Sequence, residues 1–139
     1  MDIRRIDDTL SASPQVAVED LTEIARLGFR TVISNRPDGE APDQPSAVDI
    51  AAAAKTAGLK FTHIPVVPGA VQDDDVVAFR KALEDLPGPI FGFCRTGTRT
   101  TTLWALSQAG SRPIDQIRTA AAAAGYGLQG LRARLEASG

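Results

Sequence analysis

The stretch FGFCRTGTRTT, residues 91–101, holds the only cysteine of the chain. A short apolar run ending at Phe93 leads into it, and two arginines, a glycine and four threonines follow. The apolar run reads as a buried strand, and TTLWALSQAG beyond it reads as a helix. A polar turn between strand and helix puts Cys94 where the unpaired N–H groups of the helix start converge. The helix dipole favours negative charge at that point. Gly97 lets the backbone curl so that successive N–H groups face one centre, a nest for an anion formed with Arg95, Thr96 and Thr98. The same field favours a thiolate over a thiol, which makes Cys94 a candidate nucleophile. Arg99 adds a planar fork of donors matched to phosphate or sulfate oxygens. Thr100 brings a hydroxyl near the sulfur and is a candidate catalytic residue, supporting the thiolate or the later attack by water. A lone cysteine after an apolar strand is ordinarily a small buried hydrophobe. Here the residues that follow are too polar for a core and too rich in anion donors for that reading to be preferred.

Working outward, the chain alternates strands and helices up to Phe93 and then turns helical. The N-terminal IRRIDDTLSASPQ is extended. AVEDLTEIARLG has apolar residues near helical spacing and a stop at Gly28. FRTVISN is a β-branched strand, and AVDIAAAAKTAG an alanine-rich helix closed by Gly58. LKFTHIPVV, residues 59–67, reads as the next strand. DDDVVAFRKALEDL is an amphipathic helix broken by Pro87-Gly88. After the cysteine turn come three helices: residues 101–110, 113–125 and 128–138. This order predicts an α/β fold with a central, mainly parallel sheet of four or five strands, helices on both faces and a helical C-terminal part. Ligands in such sheets bind outside the carboxyl ends of the strands. The segments leaving those ends, at Asn35-Arg36, Val67-Pro68-Gly69 and Cys94-Arg95, are therefore expected to meet.

At 139 residues the chain is expected to form one domain, residues 1–139, with an adequate core. A formal net charge of −2 argues against a nucleic-acid partner. The opening MDIRRIDDTL has no apolar h-region, and no apolar run reaches membrane-spanning length. A cytoplasmic protein without a membrane partner is the expectation, and one cysteine fits a reducing compartment. One cysteine and one histidine leave no basis for a zinc site. No Gly-x-Gly-x-x-Gly or Walker motif is present, so neither metal nor cofactor is expected. His63 is read as a satisfied strand histidine. The oligomeric state is not legible.

Strand, Cys-x-x-Gly-x-x and helix together resemble the phosphate-binding loop of cysteine-dependent protein phosphatases. Four segments in order make the resemblance more specific: LSASPQ (10–15), SNRPDGEAPDQPS (34–46), IPVVPGA (64–70) and FCRTGTRT (93–100). They look like the bacterial β-lactamase-hydrolase-like, phosphatase-like family. That resemblance implies a phosphatase-type fold, Cys94 as nucleophile, Arg99 as anion ligand and a small anionic or phosphorylated substrate. It also helps to place Arg36 at the pocket rim; the alternative is that Arg36 pairs with Glu40 to order the loop. Arg95 either steers anionic substrate or is a solvated surface residue. Family members joined to metallo-β-lactamase-type or sulfide-oxidising domains hint at sulfur metabolism.

Three departures from the phosphatase pattern stand out. The spacing is Cys-x4-Arg rather than Cys-x5-Arg. Phe93 replaces the histidine that usually precedes the cysteine. The stretch that should carry a general-acid aspartate reads VVPG. Asp73, Asp74 and Asp75 are substitutes for that acid, or they cap the helix that they begin. The expected function is phosphate monoester hydrolysis through a phosphocysteine, weak or narrow and favouring aryl esters. Two alternatives stay open. Cys-Arg-x-Gly-x-Arg also resembles the persulfide loop of rhodanese-type sulfurtransferases, although the helical C-terminus lacks that fold's final strand. The loop would also serve a non-catalytic phosphate-binding module.

Overall fold

The structure is a computed structural model and describes residues 1–138. Its strands are β1 (Arg4–Arg5), β2 (Leu10–Ser13), β3 (Thr31–Ser34), β4 (Lys60–His63) and β5 (Ile90–Phe93). They form one sheet in the order β1-β2-β5-β3-β4. Only β1 runs antiparallel, against β2. Strands β2, β5, β3 and β4 are mutually parallel, with Ser13 level with Phe93 and Ser34 level with both Phe93 and His63. The four carboxyl ends therefore lie along one edge of the sheet, which is the convergence that the order of elements predicts.

The helices are α1 (Asp20–Arg26), α2 (Ala47–Thr56), α3 (Asp73–Asp85), α4 (Thr98–Gln108), α5 (Ile114–Ala123) and α6 (Arg132–Ser138). They cover both faces of the sheet. Against one face, Leu21 and Ile24 of α1 and Ile50 and Ala54 of α2 pack on Val32, Phe91 and Phe93. Against the other, Phe79 of α3, Leu103 and Trp104 of α4, Ile117 of α5 and Leu135 of α6 pack on Leu10, Ile33 and Ile90. Residues of β3 and β5 alternate between the two cores because strand side chains alternate faces. Both strands are buried throughout, as parallel strands between helical layers must be.

Helix α4 is the axis of the second core. Trp104 is fully buried, and its Nε1–H donates to Asp7 at 3.1 Å. The helix lies so close to β5 that a Cβ on Gly92 would meet Thr100 Cγ2 at 2.6 Å. A larger residue at 92 would push α4, and with it the cysteine turn, off the sheet.

Several expected boundaries move, among them the start of the helix expected over 101–110, which begins at Thr98 and takes Arg99 and Thr100 into its first turn. The strand predicted over 59–67 is confined to Lys60–His63. Pro65 and Pro68 lack the N–H that a longer ladder requires, yet Ile64 and Val66 still donate to Ser34 and Asn35 carbonyls. The C-terminal helix predicted over 128–138 is split into a single 3-10 turn, Gln129–Leu131, and α6. Among the described residues no helix is long and apolar enough to cross a membrane.

Candidate functional site

The site is assembled from the loops at the carboxyl edge of the sheet. Cys94 leaves β5 with its N–H on the Ser13 carbonyl and its side chain fully buried. The Gly97 N–H donates to Cys94 Sγ at 3.1 Å. Gly97 has φ of +94°, a conformation in which only glycine is unstrained, and it is the residue that turns the chain into α4. Among the described residues, the N–H groups of Arg95, Thr96, Arg99 and Thr100 meet no protein acceptor. These are the orphan donors of a helix start, in the turn that begins at the cysteine. Thr96 and Thr98 are exposed, and their hydroxyls are 3.0 Å apart. Arg95 is exposed, and its carbonyl accepts from Gln15 N–H, tying the loop to the end of β2.

Arg99 is buried beneath this loop, and its guanidinium is held on one side. Nη1 and Nη2 donate to the two Glu40 oxygens, each at 2.8 Å, and Nη1 also donates to the Val66 carbonyl at 2.9 Å. Burial alone would lower the Arg99 pKa. The hydrogen bond to Glu40 and the electrostatic influence of the neighbouring Cys94 and Glu40 reverse this and raise it. Glu40 is held below the ordinary carboxylate range, chiefly by its hydrogen bond to Arg99 and then by Arg36, against the opposing effect of burial. The cation of Arg99 is thus permanent, and its orientation is imposed from the loop after β3.

Arg36 pairs with Glu40, as the loop-ordering alternative expects. Its Nε donates to Glu40 at 3.0 Å and its Nη1 to Gln15 at 3.1 Å, and the residue is 5% exposed. His63 Nε2 lies 2.8 Å from the Arg36 carbonyl oxygen. Thr100 is buried, and its hydroxyl donates to Asn35 Oδ1 at 2.8 Å. Asn35 in turn donates to the Ile64 carbonyl. The structure therefore places Thr100 as a tie between α4 and the β3 loop.

The three aspartates begin α3. Asp75 accepts from the Gln72 N–H at 2.9 Å, a capping contact. Asp73 pairs with Arg134 of α6 at 3.2 Å. Arg134 lines a pocket of about 460 Å³ that also includes Arg95, Thr96, Arg99, Val71 and Leu131. Asp73 therefore touches a residue of the pocket wall. The lining combines apolar Val71 and Leu131 with the cationic Arg95, Arg99 and Arg134.

Three participants make contacts to which the sequence does not point. By sequence Glu40 is a partner only for Arg36; nothing in its local spacing points to Arg99, 59 positions away. Asn35 and the Val66 carbonyl carry no local signal, because each acts through a contact that the sheet creates.

The cysteine at the carboxyl end of a central parallel strand, set before a helix start with a buried arginine nearby, lies on a phosphatase-type fold. The comparisons agree. Residues 2–111 match the family described as beta-lactamase hydrolase-like protein, phosphatase-like domain, and the chain belongs to that family. It is 35% identical over 130 residues to the beta-lactamase hydrolase-like protein of Xylella fastidiosa Temecula1, covering 92% of this chain and 30% of that protein. The chain therefore spans under a third of the curated relatives that it matches over most of its own length. It is also similar to the crystal structure of a candidate phosphatase from Neisseria meningitidis Z2491. That likeness has 38% identity, 100% and 99% coverage of the two chains and a TM-score of 0.89. P. aeruginosa TpbA, crystallised in complex with pTyr, shares the fold at 20% identity and a TM-score of 0.59, covering 97% of this chain and 90% of that one.

Proposed function

We propose that this domain hydrolyses aryl phosphate monoesters through a phosphocysteine on Cys94. The observation that carries this reading is the arrangement of Cys94 Sγ, which accepts from Gly97 N–H at 3.1 Å, beside a guanidinium fixed by Glu40 and Val66. In the first step the thiolate attacks phosphorus. The S–P bond forms, the P–O bond to the aryl group breaks, and the aryloxide leaves. In the second step water attacks the phosphocysteine. The S–P bond breaks, inorganic phosphate departs and the thiolate returns. Backbone N–H groups of residues 95–99 and the free edge of Arg99 take up the charge that develops on the phosphoryl oxygens.

The pocket supports the preference for aryl esters. Its apolar lining suits a ring, and the lining arginines Arg95 and Arg134 suit an anion. Among the aspartates, Asp73 is the one beside a pocket residue, and an aryloxide needs little help from an acid to leave. The phosphotyrosine held by TpbA, a protein of the same fold, is an aryl phosphate.

The test is phosphate release from an aryl and an alkyl phosphate, with Cys94→Ala as the reference. Turnover of the aryl ester that disappears in Cys94→Ala is expected, with the alkyl ester much slower. Equal rates in wild type and Cys94→Ala would reject the hydrolase. Cyanide-dependent consumption of thiosulfate in its place would establish sulfur transfer.

A further inference from the structure

The only tyrosine of the chain lies beyond the residues that match the family and in none of the motifs. Tyr126 follows α5 and is 7% exposed. Its hydroxyl donates to the Thr96 carbonyl at 3.2 Å. That carbonyl and the Gly97 N–H belong to one peptide unit, and the N–H donates to Cys94 Sγ. In a planar trans peptide the two groups point in opposite directions. The peptide is therefore clamped between a phenol on one side and the sulfur on the other. A donor on the carbonyl oxygen polarises the unit and strengthens its N–H as a donor. The absence of a side chain at Gly97 belongs to the same arrangement, because a Cβ there would overlap the Tyr126 hydroxyl.

The phenol is itself held in place. The Arg4 guanidinium lies 5.6 Å from the ring centroid and donates to the Ala124 carbonyl at 3.1 Å. Burial is the largest influence on Tyr126 and raises its pKa above the ordinary 10.0, against the pull of Arg4. The hydroxyl thus stays protonated and remains a donor through the neutral range. Besides Tyr126 itself, the charged groups that bear on the phenol and the sulfur are Arg4 and Asp2 of the N-terminal segment and Arg99 with its partner Glu40.

We propose that Tyr126 is a positioning residue for Cys94, acting through the 96–97 peptide to hold the Gly97 N–H on the sulfur and stabilise the thiolate. This rests on the reading of Cys94 as the nucleophile, but its test does not depend on turnover. The chain has one cysteine, so thiolate ultraviolet absorbance, taken as the difference from Cys94→Ala, titrates a single group. In Tyr126→Phe the ring remains and the donor is gone. The thiol titration is expected to move upward by about 0.1–0.3 unit, because the lost donor acts on the sulfur only through the peptide. Because the chain has one tyrosine, biosynthetic replacement by fluorotyrosine alters residue 126 alone and makes it a stronger donor. That protein should titrate lower than wild type.

Opposite shifts in the two proteins support the proposal. An unmoved titration in both overturns it, even if Tyr126→Phe melts earlier, because the ring would then serve packing alone. If Tyr126→Phe does not fold, the fluorotyrosine protein decides. Opposite shifts without aryl phosphate turnover in any of the proteins would reject the hydrolase and still support the role of Tyr126.

Discussion

At position 99 both Nη1 hydrogens and one on Nη2 are engaged by Glu40 and the Val66 carbonyl. What remains is the Nε–Nη2 edge, a two-donor fork that matches two phosphoryl oxygens. Glu40 thus decides which edge Arg99 presents. Glu40→Gln keeps the size and removes the charge. We expect kcat/KM for an aryl phosphate to fall about tenfold, with the Cys94→Ala background unchanged. Arg99→Lys loses the fork altogether and should be worse than Glu40→Gln in the same assay. The pair also sets a pH dependence of stability. Glu40 titrates below its ordinary 4.5 in the folded state, so its contribution is fully present above that pH. It is lost as pH falls through the lower folded value. The difference in Tm between wild type and Glu40→Gln should therefore be constant at neutral pH and close in acid.

Among the elements, the contact between β5 and α4 carries the site, because Cys94 is the hinge between them. At Gly92 that contact leaves room for no more than a hydrogen beside Thr100, with Leu10 Cδ1 at 3.4 Å from a built Cβ. Gly92→Ala should destabilise the fold by about 1–3 kcal/mol, an overpacking cost, read as a lower denaturation midpoint at unchanged m-value. Thr100 is displaced first, and its hydrogen bond to Asn35 couples that displacement to the β3 loop. Activity in Gly92→Ala is thus expected to fall further than the folded fraction does. A drop in stability with full specific activity would show that α4 tolerates the shift.

For the whole molecule, the family match ends at residue 111, but the core does not. Ile117, Ala121 and Leu135 are fully buried in the same cluster as Trp104 and Leu103. A chain ending at residue 111 would expose that face of α4 to water and lose the Tyr126 contact with Thr96. Its thermal transition by circular dichroism is expected to be broad or absent. A sharp transition near that of the full chain would show that the C-terminal helices are dispensable. The same view accounts for what the sequence revealed of the site. Cys94, Gly97 and Arg99 announce themselves because they lie within one turn between strand and helix, where spacing is chemistry. Glu40, Asn35 and Tyr126 do not, because their partners are 59, 65 and 30 positions away.

Local pattern alone determined the α/β class, the parallel sheet and the position of the cysteine turn before a helix start. Alternating strands and helices, glycine stops and the dipole of a helix start are short-range physics, and each is written within a few residues. Tertiary structure decided the rest. It gave Arg99 its orientation, tied Thr100 to Asn35, put Asp75 on a backbone N–H and Asp73 beside Arg134, and brought a distant tyrosine under the cysteine loop. Each of those outcomes depends on which loops the register of β2, β5, β3 and β4 brings to a common edge. Register is set by the packing of two cores at once, and no single segment contains it.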